Sequence, residues 1–154
     1  MRIVLYRPEI PANTGNSVRT CNVTSTPLTL VRPLGFYTSN TMLKRAGLDY
    51  WDDVDITYVD DFDAYLEERE EPFYFFSSRA DQIYTDVAYT SCTMLIFGSE
   101  TSGLPDYLRE RWPDRWVTIP MVPQGGRCLN LANSVAIALY EVWRQQGFRA
   151  TAPN

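Results

Sequence analysis

Phe97-Gly-Ser-Glu-Thr-Ser-Gly-Leu-Pro105, Ile119-Pro-Met-Val-Pro123 and Leu129-Asn-Leu-Ala-Asn-Ser134 follow one another in the C-terminal half of the chain. The first two are loops that begin where apolar strands end. The third is a polar step that opens a long apolar helix. Loops rich in Gly and Pro at strand ends offer bare backbone N–H and C=O groups, and an α/β protein can hold a nucleotide-like ligand there. Gly98 and Gly103 flank four residues, but Leu104 stands where a phosphate loop needs Lys, which argues against a triphosphate.

Working outward, short apolar runs at Ile3–Tyr6, Leu28–Val31, Ile56–Val59, Phe73–Phe76, Met94–Phe97 and Trp116–Ile119 read as strands. Helices are expected over Gly15–Thr24, Asn40–Ala46 (with Gly47 at its end) and Asp60–Glu70, where Asp60 is the expected cap. This alternation predicts an α/β fold, a mainly parallel sheet with helices on both faces. The last helix, about Asn130 to Gln146, is apolar around most of its circumference. It must be buried on more than one side, either within its own core or against a second subunit.

The chain has 154 residues, 45% hydrophobic and 21% charged, the profile of a single globular domain. We expect one domain over 1–154 with a loose tail at 148–154. No run reaches membrane-spanning length and no leader is seen, so a cytoplasmic protein is expected. Cys21, Cys92 and Cys128 are odd in number and far apart, which reads as reduced thiols. Histidine is absent. That removes Ser/His and Cys/His nucleophile pairs and most zinc sites, so no metal is expected.

The net charge of −5 is unevenly spread. Residues 49–71 hold eleven acids against Arg69 alone, leaving eight acids and thirteen bases elsewhere. The acidic run reads as a solvated face. The bases are arginines except Lys44, and arginine is the better bidentate partner for phosphate, so a polyanionic substrate stays open. Asn13-Thr-Gly-Asn-Ser-Val-Arg19 follows the first strand. It reads either as a helix-start turn with a surface arginine or as a polar, cationic edge that grips a phosphate or ribose.

Together these segments resemble the SpoU-type RNA 2′-O-ribose methyltransferases of the SPOUT class. The matching motifs are Asn13-x-Gly-Asn16-x-x-Arg19, Phe97-Gly-x-Glu100-x-x-Gly103-Leu-Pro105, and Ile119-Pro-Met-Val-Pro123 followed by Leu129-Asn130-Leu-x-Asn133-Ser134. Further runs are similar to the minimal subgroup that methylates the wobble nucleotide of tRNA. They are Ile3–Tyr6, Pro8-Glu-Ile-Pro11, Pro33-Leu-Gly-Phe36, Arg45-Ala-Gly-Leu-Asp-Tyr50 and Tyr140-Glu-x-Trp-Arg144.

The resemblance implies a C-terminal deep trefoil knot and a homodimer through the last helix. It also implies S-adenosylmethionine as methyl donor, with S-adenosylhomocysteine as product, and tRNA as substrate at cytidine or uridine 34. Residues carried over are Arg19 and Asn130 as catalytic, and Asn13, Asn16 and Glu100 toward the substrate. Phe76, Ser77, Gly98, Ile119, Cys128 and Leu129 are carried over toward the cofactor, mostly through backbone groups. Arginine's very high pKa makes Arg19 a positioning and polarising group for the 2′-hydroxyl, not a base. Glu100 has a rival role as a loop brace.

Two departures stand out. Cys128 takes the place of a family serine after a longer Gln124–Arg127 loop, and Thr24-Ser-Thr26 stands where a helix-ending Gly is usual. Competing readings are methylation of another tRNA or rRNA ribose, a non-catalytic RNA- or cofactor-binding member, and an unrelated nucleotide-binding α/β domain. If the substrate is RNA, the acidic segment should lie away from the site.

Overall fold

The computed structural model describes residues 1–37, 51–122 and 128–149. The expected helix at Asn40–Ala46 lies outside them. Seven parallel strands form one sheet in the order β3-β2-β1-β6-β4-β7-β5. They are β1 (Arg2–Tyr6), β2 (Leu28–Val31), β3 (Ile56–Val59), β4 (Phe73–Phe76), β5 (Gln82–Ile83), β6 (Met94–Phe97) and β7 (Trp116–Thr118). Among the described residues the α-helices are α1 (Pro11–Val23), α2 (Phe62–Glu67), α3 (Tyr107–Arg111) and α4 (Leu131–Gln145).

The period-2 alternation of side chains sorts the core into two layers. From β1, Ile3 and Leu5 join Val18 and Cys21 of α1 and Val135, Leu139 and Val142 of α4. Val4 and Tyr6 point the other way, toward Phe62 and Leu66 of α2 and Leu108 of α3. Helices therefore cover both faces. The central strands β1, β2, β4 and β6 are covered on both sides and read as nearly continuous apolar runs, whereas the edge strands β3 and β5 carry exposed residues.

Several boundaries move. Helix α1 starts at Pro11, four residues before the expected position, because a proline lacking its N–H loses nothing in the first turn. Asn13 and Gly15 therefore lie inside the helix and not in a turn. Its C-terminus is a Schellman motif, with Thr26 N bonded to Cys21 O (2.9 Å) and Ser25 N to Asn22 O (3.1 Å). Ser25 takes the left-handed position (φ 50°) where glycine is usual. Helix α2 is capped by Asp61, whose side chain accepts from Ala64 N at 3.0 Å. The neighbouring Asp60 instead pairs with Arg32 at 2.7 Å.

Helix α4 matches its expected span closely. Asn130 caps it, and Gly147 at φ 68° ends it. Phe148 N bonds Trp143 O and its ring meets Trp143 edge-on at 5.5 Å, while Trp143 Nε1 donates to Arg149 O at 2.8 Å. The start of the expected tail thus packs onto the helix. Residues 150–154 lie outside the described part.

The chain order turns back at β1, whose neighbours are β2 on one side and β6 on the other. Strand ends beside such a reversal splay apart and leave a crevice at the carboxyl edge of the sheet.

Candidate active site

A cavity of about 700 Å³ occupies that carboxyl edge, within the size range typical of small-molecule sites. Three chain segments distant in sequence close around it: the start of α1, the loop after β6, and the approach to α4.

The loop after β6 is a ring closed on itself. Ser99 and Gly103 exchange backbone hydrogen bonds (3.0 and 3.2 Å), and Gly103 sits at φ 70°. A Cβ on Gly98 would lie 2.2 Å from the Gly103 carbonyl carbon, so no larger residue fits. Glu100 at the tip reaches back to the β1–α1 connection. Its carboxylate accepts from Glu9 N (2.8 Å), Ile10 N (3.2 Å) and Asn13 Nδ2 (2.9 Å). Ile10 is the N-cap of α1 and has no polar side chain, so a carboxylate from another segment does the capping, where the helix dipole favours negative charge. Thr101 adds a second tie, donating to the Glu9 carboxylate at 2.7–2.8 Å.

The network continues into α4. Asn13 Oδ1 accepts from Asn130 Nδ2 at 2.9 Å, and Asn130 Oδ1 in turn accepts from Ala132 N at 2.9 Å. The chain Glu100–Asn13–Asn130–α4 therefore locks the three motif segments together, and it fixes which way each amide points. Glu100 acts as a brace in this arrangement.

Phe76, Ser77, Gly98, Ile119, Cys128 and Leu129 line the cavity, as do Asn13, Glu100 and Asn130. Cys128 Sγ lies 3.7 Å from Ser78 Oγ. Asn16 and Arg19 are not in its wall. They sit on the exposed side of α1, Arg19 about 9 Å along the axis from Asn13 at the usual helical rise. Sequence reasoning missed Ser78, Arg79, Arg109 and Trp116, which also line the cavity. Ser78 and Arg79 carry a usable signal, since they directly follow the carboxyl end of β4. Arg109 lies on α3, too short and too charged to show an apolar period.

Acids of the 49–71 run lie largely elsewhere. Asp53, Asp55 and Glu71 border a second cavity at the opposite, amino edge of the sheet, together with Met1, Arg2 and Cys92. Cys21 is fully buried, and desolvation raises its thiol pKa to about 12, so it is an inert core residue. No described helix is long and apolar enough to cross a membrane.

A parallel α/β sheet with a braced, glycine-dependent loop cavity at its carboxyl edge defines a nucleotide-type binding domain without a triphosphate loop. The comparisons narrow this class. A sequence profile of the SpoU rRNA Methylase family matches residues 1–140, and the chain belongs to that family. A protein from Listeria monocytogenes is 49% identical over 152 residues, covering 96% of this chain and 89% of its own. The tRNA (cytidine(34)-2′-O)-methyltransferase of Burkholderia cenocepacia is 42% identical, covering 97% of this chain and 98% of its own.

Among solved structures, one described under structural insights into the 2-OH methylation of C/U34 on tRNA is 43% identical, with a TM-score of 0.85, covering 95% and 90% of the two chains. The SpoU methyltransferase AviRb of Streptomyces viridochromogenes, in complex with AdoMet, shares the fold at 22% identity and a TM-score of 0.81, covering 95% of this chain and 57% of its own.

Proposed function

We propose that this protein transfers a methyl group from S-adenosylmethionine to the ribose 2′-hydroxyl of cytidine or uridine 34 in tRNA. The observation that carries the reading is the 42% identity, over nearly both full lengths, to a methyltransferase named for that nucleotide. The geometry supports it, because the three family motifs meet at one cavity of suitable size.

The residues present fit the cofactor. Gly98, Ile119 and Leu129 offer backbone groups along the wall, and the Gly98 ring leaves no side chain in the way. When bound, S-adenosylmethionine supplies an electrophilic methyl group on a sulfonium. The chain's share is orientation: holding the hydroxyl in line with that methyl accounts for much of the acceleration. Asn13, Asn130 and Glu100 keep the loops fixed relative to one another. Arg19 polarises the 2′-hydroxyl oxygen and holds an adjacent phosphate while staying protonated.

Arg19 lies outside its own chain's cavity, and a homodimer through α4 accounts for that. Helix α4 buries Val135, Leu139 and Val142 in its own core yet exposes Ile137 (37%) and Tyr140 (44%) along a second stripe. Helix α1 packs beside α4 and exposes Val23 one turn beyond Arg19. A second copy seated on this surface covers those residues and brings Arg19 toward the partner's cavity. The family's C-terminal knot, and action in the cytoplasm, belong to the same reading.

The test is nucleoside mass spectrometry of tRNA lacking wobble ribose methylation, after incubation with protein and S-adenosylmethionine. New 2′-O-methylcytidine or 2′-O-methyluridine at position 34 is expected. A mark at another position would move the substrate, and no mark despite cofactor binding would leave a binding module. Arg19→Ala should bind S-adenosylhomocysteine as the wild type does and lose about 100-fold or more in kcat.

A further inference from the structure

The polar groups around the cavity divide into two kinds. On one side Asn13, Glu100 and Asn130 are occupied with one another and with helix N-termini. On the other side stand Arg79, just after β4, and Arg109, on α3. Both line the cavity, both are exposed, and neither has a carboxylate partner among the described residues.

Arg109 is held in place by a ring rather than by an acid. Its guanidinium carbon lies 4.9 Å from the centroid of Trp116, a buried cavity residue. Stacking of this kind orients the guanidinium plane and leaves its N–H edges open for a bidentate acceptor. The Trp116 indole N–H is itself buried with no hydrogen-bond partner among the described residues. That wall is therefore rich in donors, and Asp106 is its one acid.

Arg2, Arg69 and Arg149 line the second cavity with the Met1 ammonium and with Asp53, Asp55 and Glu71, and Arg2 lies 3.7 Å from the Asp55 carboxylate. A protein with a net charge of −5 that takes a polyanion must concentrate unpaired positive charge at the site of contact. Both arginines that line the carboxyl-edge cavity lack a carboxylate partner among the described residues, and Arg109 is stacked on its aromatic wall.

We propose that Arg79 and Arg109 form the grip for a backbone phosphate of the substrate RNA, seating the strand at the mouth of the cavity. The assignment rests on the RNA methyltransferase reading above and adds two residues to its site. Arginine suits the task because its fork matches two phosphate oxygens, and the exposure of both side chains suits a partner that arrives from solvent.

The test uses the full chain. Arg79→Gln, Arg109→Gln and the double variant are assayed for tRNA affinity by fluorescence anisotropy over a salt series. S-adenosylhomocysteine affinity is measured separately by calorimetry without RNA. Each single variant should weaken tRNA binding roughly five- to ten-fold and lower the slope of log affinity against log salt by about one, with S-adenosylhomocysteine affinity within about two-fold of wild type. Arg109→Lys keeps the charge and should retain the slope while recovering only part of the affinity.

A double variant with wild-type tRNA affinity and slope overturns the proposal. So does a loss of S-adenosylhomocysteine affinity at unchanged tRNA affinity, which would give the guanidinium groups to the carboxylate of the cofactor. Arginine-dependent tRNA binding without any methyl mark at position 34 would count against the function reading and leave this grip standing.

Discussion

Glycine 98 shows how a single residue ties sequence to chemistry. The loop after β6 must fold back on itself so closely that a methyl group would overlap the Gly103 carbonyl carbon. Backbone, not a movable side chain, occupies that space, so Gly98→Ala must open the ring. The expected outcome is at least a ten-fold loss of S-adenosylhomocysteine affinity by calorimetry, with the far-UV spectrum retained, because the strand ends before the loop begins. Glu100 is the complementary case. Its motif position was legible, but whether it served substrate or structure was not, since a carboxylate's partners lie some 90 positions away in the chain. Once Glu9 N, Ile10 N and Asn13 Nδ2 are seen around it, the brace role follows from hydrogen-bond bookkeeping.

Helix α4 was the most readable element, since fifteen residues with a polar cap in front and a glycine behind carry signals at both ends. What its sequence left open was which apolar side is covered by its own core. The structure buries Val135, Leu139 and Val142 and exposes the Ile137/Tyr140 stripe. If a second copy covers that stripe, placing a charge there should separate the subunits, because an unpaired carboxylate cannot be desolvated cheaply. Ile137→Glu should shift the light-scattering mass from about two chains to one of 17.7 kDa, with the circular dichroism of the monomer preserved. A wild-type protein already monomeric at working concentrations would refute the interface. Helices α1 and α3 were less legible. Pro11 started α1 earlier than its polar run suggested, and α3 is five residues of mostly charged sequence with one buried leucine.

At the scale of the whole molecule, the C-terminal end of α4 is stitched to the segment before β6. Gln145 accepts from Tyr89 N (2.9 Å) and donates to Val87 O (3.0 Å), and Gln146 donates to Tyr89 O (2.8 Å). Glu141, buried beside them, accepts from Arg144 twice and from Gln145, all at 2.8 Å. The hydrogen bonds from Arg144 hold its carboxyl below the usual glutamate range, against the opposing effect of burial. A depressed native pKa stabilises the fold above the unfolded value, about 4.3, and that contribution is lost as the pH falls through the native value. Glu141→Gln should therefore unfold at a lower urea concentration than wild type at pH 7. The gap should shrink on acidification below about pH 4, as chemical denaturation at the two pH values would report.

The sequence by itself determined the local pieces. Apolar runs made strands, polar steps and glycines ended them, and the motif residues announced a family and a cofactor-type loop, because each of these depends on neighbours a few positions apart. Only the tertiary structure decided how those pieces meet. It brought Glu100, Asn13 and Asn130 into one hydrogen-bonded chain, left Arg19 outside its own cavity, and put Arg79 and Arg109 at one wall with neither paired to a carboxylate among the described residues. Such relations depend on strand order and on which side chains lie within bonding distance across the sheet edge, and no periodicity along the chain encodes distances of that kind.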